Sequence, residues 1–124
     1  MNSKLYILSK EEIEERRKIL TLLLENAASI IEKYIKKFGT EPRNKLLIED
    51  LSMGLSNIRG GVKLIREGDW LERVALKYPP GKRGGFGLSR GFGEFLYALP
   101  KEYESLVDEI MEAVRKIEHY FASM

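Results

Sequence analysis

Apolar residues recur every three or four positions along three long segments of this chain, which is the spacing of one face of an α-helix. These positions are Ile13, Leu20, Leu24, Ala27, Ile31, Tyr34 and Phe38, then Leu47, Leu51, Leu55, Ile58, Val62 and Ile65, then Tyr103, Val107, Ile110, Val114, Ile117 and Phe121. Each helix needs a partner to bury its apolar face. The spacing therefore predicts an all-α fold, an antiparallel helical bundle of three long helices plus one or two short ones.

Capping and breaking residues set the expected ends of these helices. Ser9 and Glu12 have the spacing of a capping box, and Gly39 follows the last turn of the first helix. Pro42 suits the first turn of the second helix, where its missing amide costs nothing. The predicted helices cover residues 10–38, 43–67, 69–77, 94–99 and 101–122.

Composition favours a soluble protein of one domain. The chain has 124 residues, a formal net charge of +2 and no cysteine, which excludes disulfides, thiolate metal sites and cysteine nucleophiles. Its apolar runs are much shorter than the roughly 18–20 residues of a membrane span. We therefore expect a cytoplasmic protein without a membrane partner. The interspersed Glu, Lys and Arg suit a thermophilic source.

A long glycine-rich connection, residues 78–93, is expected before the last helix. It holds six of the eleven glycines and repeats Gly-Phe-Gly at 85–87 and 91–93. Between residues 77 and 93 there are four cations and no acid, whereas the segment from residue 100 onward carries three cations and six acids. This basic connection can attract an anionic partner, or dock on the acidic helix of its own chain or of a second copy.

Three interpretations of this connection stay open. Its backbone amides could form a concave nest for a phosphate, with the cations supplying charge. Its phenylalanines could stack on nucleic-acid bases while its arginines contact the backbone. Its phenylalanines could instead turn inward, as a structural wrap or an oligomer contact. The candidate site residues are Lys82, Arg83, Phe86, Ser89, Arg90 and Phe92.

The sequence gives little support for a metal site, a nucleotide-binding motif or a catalytic serine. His119 is the one histidine, and Lys116 stands where a Glu-x-x-His metal motif would need an acid. Neither a Walker loop nor a dinucleotide-binding fingerprint is present, and no serine lies in a nucleophile elbow. We therefore predict no catalytic residue, no metal site and no cofactor.

The predicted second helix contains three glycines that a helix interior disfavours. Gly54, Gly60 and Gly61 would each cost about 1 kcal/mol relative to alanine, so they need a structural reason. We expect close approach to the first helix, or a kink near residues 60–61. A polar strip of Asp50, Ser56, Asn57 and Arg59 lies on the same helix and could belong to a buried network or a pocket.

The function expected from these features is that of a non-enzymatic helical interaction or oligomerisation module. The first helix is apolar over more than one face in its second half, which favours a dimer or a higher oligomer. The alternative is RNA, DNA or other polyanion binding through residues 78–93.

Overall fold

The computed structural model describes residues 8–73, 75–82 and 85–124. Within these residues the chain forms five α-helices and no strand: α1 (Lys10–Phe38), α2 (Lys45–Glu67), α3 (Trp70–Arg73), α4 (Leu88–Leu96) and α5 (Glu104–Ser123). Short 3-10 turns cover Pro42–Asn44, Ala75–Lys77 and Lys101–Tyr103. The predicted all-α class is confirmed. The antiparallel order of the helices and the single-domain organisation stay predictions.

The start of α1 follows from its capping box. The Glu12 amide donates to Ser9 Oγ at 3.1 Å, and the Ser9 amide donates to the Glu12 carboxylate at 3.0 Å. These hydrogen bonds satisfy two of the amides that a helix N-terminus leaves without partners. They also lower the pKa of Glu12, chiefly through the bond from the Ser9 backbone. The two ends of α1 are those expected from the sequence.

The core surrounds α1, which packs against both α2 and α5. Its fully buried side chains include Leu20, Leu24 and Ile31 of α1, Leu51, Ile58 and Ile65 of α2, and Ile110, Val114 and Ile117 of α5. The second half of α1 is apolar on more than one side because it lies between two other helices of the same chain. That apolar width therefore needs no second copy to cover it.

A buried polar residue holds the turn between α1 and α2. The side-chain amide of Asn44 donates to the Phe38 carbonyl at 3.1 Å, and its oxygen accepts from the Tyr103 hydroxyl. This residue joins the end of α1, the start of α2 and the turn before α5. Both polar ends of its side chain are satisfied, as a buried amide requires.

The fourth helix begins earlier than expected. α4 starts at Leu88, so residues 88–93, expected as part of a long glycine-rich connection, are helical. Gly87 precedes the helix with a φ of +74°, a conformation that glycine adopts without strain. Phe92 and Leu96 stand four residues apart and are both buried, which favours the helix despite its glycines.

The helix predicted at 69–77 is also divided in the structure. It consists of α3 and the 3-10 turn Ala75–Lys77, with residue 74 between them lying outside the described residues. Leu71, Ala75 and Leu76 are buried, so this short segment packs its apolar side on the core.

The glycines of α2 have different surroundings from those expected. A Cβ on Gly54 would lie closer than 3.0 Å to the ring of Phe92, so the close approach at Gly54 is to α4 and not to α1. A Cβ on Gly60 or Gly61 would meet no atom within 4 Å. These two glycines therefore face open space, and nothing within the described chain explains their cost in a helix.

Candidate functional site

Phe86 lies within an aromatic cluster on the core side of the glycine-rich segment. Its ring centroid is 5.7 Å from that of Trp70 and 4.5 Å from that of Phe121. The Trp70 and Phe121 rings are themselves stacked at 5.8 Å. Such distances are typical of favourable aromatic pairs. Phe86 is half-buried and therefore takes part in the packing of this cluster.

Phe92 also points inward. It is buried, and its ring occupies the notch that Gly54 leaves on α2. It packs beside Phe95 with a centroid distance of 5.8 Å. A larger residue at position 54 would displace this ring, which gives Gly54 a structural reason that the sequence did not reveal.

The backbone amides before α4 bind a carboxylate of the same chain. The Leu88 amide donates to Glu118 Oε1 at 2.9 Å, and the Phe86 amide donates to Glu118 Oε2 at 3.3 Å. A Cβ on Gly85 would clash with this carboxylate. Glu118 thus sits at the N-terminus of α4, where the helix dipole also favours a negative charge.

A second attachment lies at the end of α5. The Gly81 amide donates to the Ala122 carbonyl at 2.9 Å. Together with Glu118, it ties the described part of residues 81–88 to the last helix. The acidic helix expected as a possible internal partner does contact this segment. The contact that Glu118 makes is with backbone amides.

The structure describes five of the six predicted site residues, and these five do not converge on one surface. Phe86 and Phe92 point into the core, Ser89 is half-buried, and Arg83 lies outside the described residues. Lys82 is exposed. Arg90 is exposed as well, and its Nε lies 3.4 Å from the carboxylate of Glu94 one helical turn later. Ligand binding by these residues stays a prediction.

A cleft lies between α2 and α4 of the described chain. Its volume is about 360 Å³. Leu24, Ile58 and Phe92 form its buried floor, and Phe86, Leu88 and Phe95 form its α4 side. Asp50, Met53 and Asn57 border it on α2. We call this feature the α2–α4 cleft.

The lining of the cleft suits an apolar group with a polar end. Asp50 is its one ionisable residue within the described chain, and Asn57 adds one amide. No group of three or more described residues could hold a metal ion. A single carboxylate without a base or a nucleophile beside it can orient a ligand by hydrogen bonding.

The exposed side of α2 continues the cleft towards both ends of the helix. Leu46, Met53 and Leu64 are 73%, 66% and 47% exposed and lie along one side of the helix. With Asp50, Asn57 and Gly60 they follow the spacing four, three, four, three, four. We call these six residues the α2 outer face. The same spacing in the sequence could have revealed it, but the buried seam of α2 is more apolar and dominated the pattern.

Comparison with known proteins gives no match to the chain among family models, curated proteins or solved structures. No helix among the described residues has the length and apolar character needed to cross a bilayer. The cytoplasmic location and the thermophilic source remain predictions. The function must therefore be argued from the residues of the chain itself.

Proposed function

We propose that this protein is a non-enzymatic helical interaction module, and that its contact surface is the α2–α4 cleft together with the α2 outer face. The cleft is the observation that carries the proposal. It is an apolar depression of about 360 Å³, large enough for one or two side chains of a partner, and exposed Met53 stands at its edge. Exposed apolar surface of this kind is typical of interaction sites.

The chemistry of the cleft also indicates what its occupant carries. Apolar floor residues favour a leucine or phenylalanine side chain, because its burial removes apolar area from water. Asp50 and Asn57 at the border can accept hydrogen bonds from backbone amides or from a basic group next to that side chain. The occupant is therefore an apolar side chain of a partner segment that carries hydrogen-bond donors.

A titration with blocked amino acids tests this proposal. The probes are N-acetyl-leucinamide and N-acetyl-phenylalaninamide, and the signals are the methyl groups of labelled methionines. We expect saturable shifts at Met53 and smaller ones at Met111, which is buried in α5 and does not line the cleft. Equal shifts at the two methionines would contradict the proposal.

A variant that fills the cleft supplies the matched control. Gly91 lines the cleft, is exposed, and has no atom within 4 Å of where its Cβ would lie. Gly91→Leu should therefore fold normally while occupying the space, and the Met53 shifts should disappear. Unchanged binding by this variant would place the probe elsewhere.

Polyanion binding through residues 78–93 is the second proposal. Exposed Lys82 and Arg90 support it, whereas the inward rings of Phe86 and Phe92 are not positioned for base stacking. Binding of a single-stranded oligonucleotide should then weaken steeply between about 50 and 200 mM salt, because counterions are released. Salt-independent binding, or binding that survives Lys82→Ala with Arg90→Ala, would contradict it.

A further inference from the structure

The charges on the outward side of α2 are complementary to those of a second α2 helix that runs in the opposite direction. Lys45, Glu49, Lys63 and Glu67 are all exposed, and none makes an ion pair within the described chain. Each lysine–glutamate pair recurs after 18 residues, which is five turns of an α-helix, so both pairs lie on the same side. The order along the helix is positive, negative, positive, negative. We call these four residues the α2 charged flank.

We propose that two copies of the chain associate through α2, with the two helices antiparallel. In this register Lys45 lies opposite the partner subunit's Glu67, and Glu49 lies opposite the partner subunit's Lys63. The two-fold symmetry repeats both pairs, so four ion pairs border the contact. A parallel arrangement would instead set like charges against one another. The inference goes beyond the proposed function, because it gives the outward side of α2 a partner of its own, a second copy of the chain, and leaves the cleft free.

The apolar residues of the α2 outer face indicate the same register. Leu46 and Leu64 are also 18 residues apart, at opposite ends of the face, and both are exposed. In the antiparallel pair, Leu46 lies against the partner subunit's Leu64 at each end. In the register set by the charges, Leu46 and the partner subunit's Leu64 are offset by two residues, about 3 Å along the helix axis. Side chains of this length accommodate such a difference.

Small residues at the centre of the contact allow the two helices to approach. Ser52, Ser56 and Gly60 follow one another on the outward side of α2 and are all exposed. The two-fold axis passes near Ser56, and Gly60 lies close to the partner subunit's Ser52. Gly60 has no contact within its own chain that explains the missing side chain. A second backbone at this place supplies the reason.

Charge-swapped variants test the register without altering the net charge. K45E/E49K reverses one half of the flank, so that all four intermolecular pairs become repulsive in the antiparallel dimer. K63E/E67K does the same from the other half. All four residues are exposed, and the swaps keep opposite charges at i,i+4, so the fold should be retained. We expect each variant to weaken self-association about tenfold or more, measured by sedimentation from about 1 μM to about 1 mM.

Rescue makes the test specific for the antiparallel register. Mixing K45E/E49K with K63E/E67K in equal amounts restores all four attractive pairs, so heterodimers should form as readily as wild-type dimers. The quadruple variant K45E/E49K/K63E/E67K should recover self-association by itself. Both results follow from pairing between the flanks and cannot follow from net charge, which is the same in every variant.

Two results would overturn the inference. One is a wild-type chain that remains monomeric over the whole concentration range. The other is a dimer that the two half-swaps do not weaken, or that the mixture does not restore. The methionine titration separates these results from the proposed function. If the blocked amino acids still shift Met53, the cleft binds as proposed and only the α2 pairing is wrong.

Discussion

The attachment of the glycine-rich segment to α5 depends on Glu118, and Glu118→Gln tests it. The carboxylate accepts from the Leu88 amide at 2.9 Å and from the Phe86 amide at 3.3 Å. The glutamine has the same size but one acceptor oxygen, and its NH₂ group would face one of the two donors. The variant therefore loses one hydrogen bond, the charge assistance of the other, and the favourable charge at the N-terminus of α4.

The magnitude follows from these three losses. A hydrogen bond to a charged group contributes about 1.5–3 kcal/mol, against about 0.5–1.5 kcal/mol for a neutral one. The bond to Phe86 is long, so we count it near 0.5–1 kcal/mol, and the charge assistance at Leu88 adds about 1 kcal/mol. A negative charge at a helix N-terminus adds about 0.3–1 kcal/mol. We expect Glu118→Gln to lower the free energy of unfolding by about 2 kcal/mol.

Urea denaturation and hydrogen exchange measure this effect. With a urea dependence of about 2 kcal/mol per molar, the unfolding midpoint should fall by about 1 M. The Leu88 amide should exchange faster than in the wild type, because local opening of this segment becomes easier. Glu112→Gln is the matched control on the same helix. Within the described chain Glu112 pairs with exposed Lys116 alone, at 3.5 Å, so its loss should cost less than about 0.5 kcal/mol.

A clear result would refute this reasoning. If Glu118→Gln is as stable as Glu112→Gln, and the Leu88 amide exchanges at the wild-type rate, the carboxylate does not hold the segment. The segment would then owe its position to the aromatic cluster around Phe86 alone.

Three further predictions concern single positions. Gly61→Ala should raise the free energy of unfolding, measured by urea denaturation, by about 0.5–1 kcal/mol, because the added Cβ would meet no other atom and alanine favours the helix. A loss of stability would contradict this. Gly54→Ala should lower it by about 1–3 kcal/mol in the same assay, because its Cβ would collide with the Phe92 ring; wild-type stability would show that the notch is not needed. The pKa of Glu12 is lowered in the folded state by its bonds with Ser9, so its stabilising contribution is present above the unfolded-state pKa and is lost as the pH falls through the folded one. Glu12→Gln should therefore reduce the loss of stability in acid, and an unchanged pH profile of urea midpoints would disagree.

The long helices were predictable because their signals are local. The capping box at Ser9 and the glycine after Phe38 set the two ends of α1, and the structure has the same ends. Most of the side chains that the apolar spacing selected are buried, in all three long helices, whereas Ile13, Phe38, Val62 and Val107 are half-buried. Signals of this kind depend on residues a few positions apart, which a single sequence displays.

The glycine-rich segment was harder to interpret because its partners are distant in the chain. Phe86 packs on Phe121, and the amides before α4 bind Glu118, about 30 residues further along. Glycines and cations in a row indicate conformational freedom and positive charge, but they do not show which way the rings turn. The early start of α4 depends on the same distant contacts, since Glu118 satisfies the amide of Leu88.

The contacts of the glycines in α2 could also not be predicted from the sequence. Their number indicated a close contact, but the sequence could not say with which element. The structure separates them: Gly54 accommodates Phe92 of α4, whereas Gly60 and Gly61 face outward. In the sequence the inward and outward glycines carry the same signal, so Gly54 could not be distinguished from Gly60 and Gly61.

The glycine-rich segment acts on the proposed contact surface mainly through α4. Phe92 in the notch of Gly54 joins α4 to α2. Glu118 attaches the start of α4 to α5, and Phe86 packs on Phe121 of the same helix. Loosening the attachment at Glu118 should therefore weaken probe binding in the cleft, because the α4 side of the cleft loses its fixed position. No residue of the α2 charged flank lines the cleft, so the association of two copies should be unaffected by the same change.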